Sequence, residues 1–178
     1  MERHVVRAAL MLLLAACAKA PAPVETRKAT PLPAPSRAPI ATDRASYVMQ
    51  NGELSVVSTL TAPAGVTAHV TNCNGAQPMG LQRLVAGQWV NAWVAALNGC
   101  FSAPIVVRPG EQRTATLLVR RGAGAVVHPI ASGTYRVVWF GVLRSYEARR
   151  AKPFDDELPL EQRVSAPFTI EVRGDPVS

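Results

Sequence analysis

Residues 132–140 read SGTYRVVWF. The stretch opens on a turn pair, Ser132-Gly133, and runs on into Tyr, Val, Val, Trp and Phe, side chains that suit a pleated strand. Carried to Leu143, the run Tyr135–Leu143 is apolar on both faces. That pattern predicts a strand at the centre of a sandwich, buried on two sides.

Working outward, a period of two recurs on both sides. In Glu53–Leu60, Leu54, Val56 and Leu60 alternate with Glu53, Ser55 and Thr59. In Gly65–Asn72, Val66, Ala68 and Val70 alternate with Thr67, His69 and Thr71. Gly80–Val85 and Gln88–Ala95 form a predicted hairpin around Ala86-Gly87. Arg113–Arg120 sets Ala115, Leu117 and Val119 against polar partners, and Pro167–Arg173 sends Phe168, Ile170 and Val172 one way. Turn signals separate these runs at Asn51-Gly52, Pro63-Ala64-Gly65 and Pro109-Gly110. No stretch after the N-terminus carries a helical stripe, and Leu143–Lys152 is expected to form a short helical turn at most. About seven to nine short strands in some 130 residues predict an all-β sandwich with Greek-key connections over residues 45–178.

The three cysteines divide by position. Cys73 and Cys100 lie at the ends of the segment that holds the predicted hairpin. Should the chain be exported, an even pair predicts a disulfide, the alternative being two free thiols. A bridge there closes a loop of 27 residues, worth about 3–4 kcal/mol by chain entropy. Trp89 and Trp93 fall between them, four apart. On a regular strand they share a face, either as an aromatic platform for a sugar or protein partner, or as core packing under the hairpin. Tyr135, just after a glycine at a strand start, predicts a tyrosine corner.

Cys17 answers to a different pattern. Residues 12–23 read LLLAACAKAPAP. Arg3 and Arg7 precede the apolar run Ala8–Ala16, which is too short to span a bilayer. This is the layout of a secretory signal peptide over residues 1–16. Leu14-Ala15-Ala16-Cys17 resembles the lipobox of bacterial lipoproteins. The resemblance implies diacylglycerol on the Cys17 thiol, cleavage before Cys17, and a stable membrane anchor once a second or third chain is added. It implies a place in the bacterial cell envelope, at the outer membrane if the cell is Gram-negative, since Ala18 rather than Asp follows. The alternative is cleavage after Ala18-Lys19-Ala20, which discards Cys17 and releases the chain.

Residues 17–44 follow as a linker. Six of the fifteen prolines lie in Ala18–Arg44, where each fixes φ and removes a donor. The net charge of +7 is uneven: residues 1–46 hold seven Lys and Arg against three Asp and Glu, leaving +3 for the rest. With no basic run interleaved with aromatics, the folded part does not read as a nucleic-acid binder.

The runs "ELSVVSTLT", "LQRLVAGQWV", "VRPGEQRTATLLV", "SGTYRVVWF" and "VSAPFTIEV" are together similar to the bacterial immunoglobulin-like domains of surface lipoproteins. The likeness spans Tyr47–Arg173 and implies an immunoglobulin-like fold without an assigned activity. The residues themselves point to no chemistry. His69 and His128 stand alone, without a second ligand at metal spacing, and no cofactor motif occurs. There is no Gly-x-Ser-x-Gly elbow. Asp155-Asp156-Glu157 reads as a solvated loop rather than as a calcium site, and the basic run Arg144, Arg149, Arg150 and Lys152 either pairs with it or faces an anionic partner. The expectation is a non-enzyme without metal or cofactor, held to a membrane through Cys17 and facing a protein or glycan partner. The alternative is a loop-based ligand-binding or proteinase-inhibitor-like domain.

Overall fold

Alternating apolar and polar residues build most of the strands, and the turns between them carry the residues that tolerate a left-handed backbone. The computed structural model describes residues 38–97, 99–145 and 156–174, all within one unit, Leu32–Ser178. In chain order the strands are β1 Ile40–Thr42, β2 Ser46–Gln50, β3 Leu54–Thr61, β4 Ala68–Asn72, β5 Met79–Val85 and β6 Gln88–Ala95. They continue as β7 Ser102–Val107, β8 Gln112–Val119, β9 Gly124–Val126, β10 Gly133–Trp139, β11 Val142–Leu143 and β12 Phe168–Arg173. A single 3-10 turn, Leu160–Gln162, is the one helical element among the described residues. The chain is all-β. The extra strands beyond the expected seven to nine are chiefly short ones of two or three residues.

Six strands form one sheet in the order β2-β12-β10-β5-β6-β9, with β2 parallel to β12 and the rest antiparallel. Two further sheets, β1-β3-β8 and β11-β4-β7, complete the sandwich. The inward rows of all three pool in one core that includes Val56, Leu60, Val70, Leu81, Leu117, Val137 and Ile170. Strand β1 pairs with β3, while β2, the next strand, runs parallel to the last strand, β12, at the edge of the six-stranded sheet, within an immunoglobulin-like sandwich.

The predicted alternation appears where sheet faces differ in exposure. Strand β3 buries Leu54, Val56, Ser58 and Leu60, β8 buries Ala115, Leu117 and Val119, and β12 buries Phe168 and Ile170. The hairpin turns at Ala86 (φ 48°) and Gly87 (φ 80°), two consecutive positive values that match the twist of the flanking strands. Tyr135 makes the expected corner: its hydroxyl donates to the Ala131 carbonyl at 2.6 Å and accepts from the Ala131 N–H at 3.1 Å.

Three features depart from expectation. Strand β1 lies inside the stretch 17–44 read as linker. Ile40 is fully buried and pairs with Leu60, and the Pro39 carbonyl accepts from Thr61 N–H. Proline is tolerated there because β1 is an edge. The run Tyr135–Leu143 is not one strand: it breaks at Gly141 (φ 61°), which passes the chain from the six-stranded sheet to β11 beside β4. The bridge Cys73–Cys100 is formed. It ties the end of β4 to the start of β7, where Asn72 pairs with Ser102. Those two strands lie in a sheet separate from the β5–β6 hairpin, so the bridge closes the two crossings that lead into and out of it.

Candidate interaction face

The six-stranded sheet turns one row of side chains inward and the other to solvent. Register alone fixes the outward row at its middle: Arg136 on β10 lies opposite Gln82 on β5, which lies opposite Asn91 on β6. Arg136 Nε donates to Gln82 Oε1 at 2.8 Å, and Gln82 Nε2 donates to Asn91 Oδ1 at 3.0 Å. Trp89, opposite Leu84, stands beside this ladder. The Arg136 guanidinium carbon sits 4.4 Å from the Trp89 ring centroid, a cation–π stack. Partial burial lowers the Arg136 pKa from its ordinary value, yet an arginine so far above neutrality keeps its charge. The result is a fixed guanidinium against a half-buried indole, flanked by two amides.

Trp93 does not join that face. The register of β5 with β6 slips between Leu81 and Gln82: Leu81 pairs with Trp93, and Gln82 pairs with Asn91. Ala92 is the extra residue of a β-bulge, and Ala92 and Trp93 are buried in succession. The Ala92 carbonyl is held by two N–H groups, of Val127 at 2.9 Å and His128 at 3.2 Å. The expected shared platform of Trp89 and Trp93 is therefore split by the bulge, with Trp89 outward and Trp93 in the core at 1% exposure. Gly124 lies so close that a Cβ there would come within 2.2 Å of the Trp93 ring.

The remaining predicted residues fall as follows. Cys17, with Arg149, Arg150, Lys152 and Asp155, lies outside the described residues. Cys73 is buried while Cys100 is exposed, and Phe101 beside it is 96% exposed. Glu157 is engaged structurally: it pairs with Arg163 at 2.9 Å and accepts the Gly141 N–H at 2.7 Å. Among the described residues no group of three His, Cys, Asp or Glu stands close enough to share a metal ion. Sequence reasoning set Arg136 on the face opposite Tyr135 without a role and did not single out Gln82. The signal for them was the polar residue inside an otherwise apolar strand, Arg136 in the central run.

Fold and face together define an immunoglobulin-like sandwich with an aromatic-cationic outer sheet. No family model matches the chain, and no curated protein matches it in sequence. Among solved structures it is similar to β-glucosidase from Listeria innocua, seen with isofagomine (18% identity, TM-score 0.36) and with glucose (17%, 0.35). Each match covers 76% of this chain and 16% of that enzyme. It is also similar to the alkylpurine DNA glycosylase of Pseudomonas fluorescens bound to DNA, at 14% identity and TM-score 0.30, over 76% of this chain and 31% of that one. The chain thus spans under a third of each. Likeness at this level carries no argument about activity.

Proposed function

We propose that this protein is a non-catalytic lipoprotein of the bacterial cell envelope, tethered through lipid on Cys17 and presenting its immunoglobulin-like domain to a protein or glycan partner. The observation that carries the interaction half is the Arg136–Trp89 stack within the Arg136–Gln82–Asn91 ladder. A pre-ordered cation and aromatic lose little side-chain freedom on binding, which is what a recognition face needs. The anchor half rests on Leu14-Ala15-Ala16-Cys17 and the proline-rich segment after it. A tether of that composition holds a domain clear of a lipid surface.

The test is site-specific photo-cross-linking in living cells, with the photoreactive residue at position 91 and, as control, at position 59 on β3 of the opposite layer. A discrete adduct from position 91, absent from position 59 and lost with Arg136→Glu, supports the outer face. Equal labelling from both positions, or none from 91, overturns it. A second reading, a loop-based ligand-binding or inhibitor-like domain, draws on Phe101, which projects into solvent next to the bridge. It predicts the adduct from position 101 instead.

A further inference from the structure

A long strand edge without a partner is a template for another strand, and most folds guard such edges. Among the described residues, the sheet edges here are β1, β8, β2, β9, β11 and β7. Strands β1, β9 and β11 are two or three residues long, β2 has five, and β7 carries Pro104. Strand β8 differs from all of them. It has eight residues, no proline, and an unbroken register with β3 from Val119 to Gln112. Its exposed row, Gln112, Thr114, Thr116 and Leu118, holds no charge. Its neighbour in sequence, β7, pairs with β4 in a separate sheet, so among the described residues no strand pairs with the second edge of β8.

That edge is recessed. Thr116, Leu117 and Leu118 form one wall of a cleft of about 280 Å³, and Gly75, Ala76 and Gln77 contribute to its lining. Trp93 lines it too, and its indole N–H has no hydrogen-bond partner among the described residues. A recess of this size takes one or two side chains of a segment laid along Thr116–Leu118. Charge narrows the occupant further. Arg113 is the second residue of the strand, and Arg120 and Arg121 follow its end. None of the three has an ion pair among the described residues, and the nearby Glu111 carboxylate is taken by Arg108, through its backbone N–H at 2.8 Å and its guanidinium at 3.3 Å.

We infer that the free edge of β8 binds an extended segment of a partner protein by strand addition, with uncharged β-branched residues at its centre and acidic residues toward its ends. Main-chain hydrogen bonds to β8 supply affinity, and the arginines at either end set register. Because Arg113 and Arg120, the latter one residue past the end of β8, are seven positions apart, the matching acids lie about seven residues apart at about 3.4 Å each. This edge belongs to a different sheet from Trp89, so the inference stands or falls independently of the outer face.

The probe is a library of random nonapeptides displayed on phage, selected against the full mature chain in detergent. The selected peptides are then synthesised for amide exchange and affinity measurements. The expected result is proline-free peptides with acids near both ends, slowed amide exchange in residues 114–118, and no effect of Trp89→Ala. Arg120→Glu with Arg121→Glu should weaken binding about tenfold, in line with two exposed ion pairs. Leu118→Lys, an exposed change that leaves the core intact, should abolish it. No selected peptide, equal binding to the Leu118→Lys chain, or protection confined to β10 and β5 overturns the inference. So does a concentration-dependent dimer that protects β8 without peptide, which would make the occupant a second copy.

Discussion

The indole Nε1 of Trp139 donates a 3.0 Å hydrogen bond to Ser58 Oγ, joining the centre of the six-stranded sheet to β3 across the core. Both residues are fully buried. The Ser58 hydroxyl in turn donates toward Met79 Sδ at 3.6 Å. A serine in the middle of an apolar row is thus the acceptor that the tryptophan needs.

Ser58→Ala leaves that N–H buried without a partner and is expected to cost about 1–3 kcal/mol. Ser58→Ala combined with Trp139→Phe should cost less than the two single changes summed, since the double change removes donor and acceptor together. Denaturant melts of the four proteins check this. Additive losses would show that the bond contributes nothing.

The alternation on β3, β8 and β12 was legible because one face of each meets the core and the other meets water. Period two then registers directly in residue type. The bulge at Ala92 was not, because its cause is distant: two N–H groups from residues 127 and 128 hold its carbonyl. Four-residue spacing therefore misplaced Trp93. The central run Tyr135–Leu143 hid a change of sheet at Gly141, which apolar pattern alone does not mark. Ile40 was lost among prolines because a single buried side chain has no period. Of the candidate face, Trp89 was visible and its partners were not. Arg136 and Gln82 meet only through the β10–β5 register, a pairing of residues 54 apart in sequence.

The bridge makes an asymmetric prediction. Cys73 is buried and Cys100 is exposed. Cys73→Ser should leave a readily labelled thiol that pairs between molecules, whereas Cys100→Ser should leave a slow-labelling one. The double change should be less stable than the parent by about 3–4 kcal/mol for a 27-residue loop, melt at a lower temperature, and stay monodisperse. Thiol labelling with and without reductant, followed by thermal melts, checks it. Two thiols labelled before reduction would contradict the bridge.

Alkaline pH should unfold the domain through its buried phenols. Burial, then the 2.5 Å hydrogen bond to Asp43, pushes Tyr47 up to about 12, and burial also raises Tyr135. Both folded values lie above the unfolded one near 10. The stability they contribute is therefore complete below pH 10 and is lost as pH climbs toward 12. In a titration followed by tyrosinate absorbance, the Tyr47→Phe difference curve should centre near pH 12 rather than 10. A difference curve centred near 10 with the fold intact would contradict the burial argument.

The claim that this domain works on a membrane tether is tested most directly by the intact mass of the mature protein from its native envelope. The account predicts a chain that begins at Cys17, carries diacylglycerol and an N-acyl group there, and partitions into detergent. Cys17→Ser should abolish the added mass and the partitioning. A lipid-free mass beginning at Pro21 would contradict it.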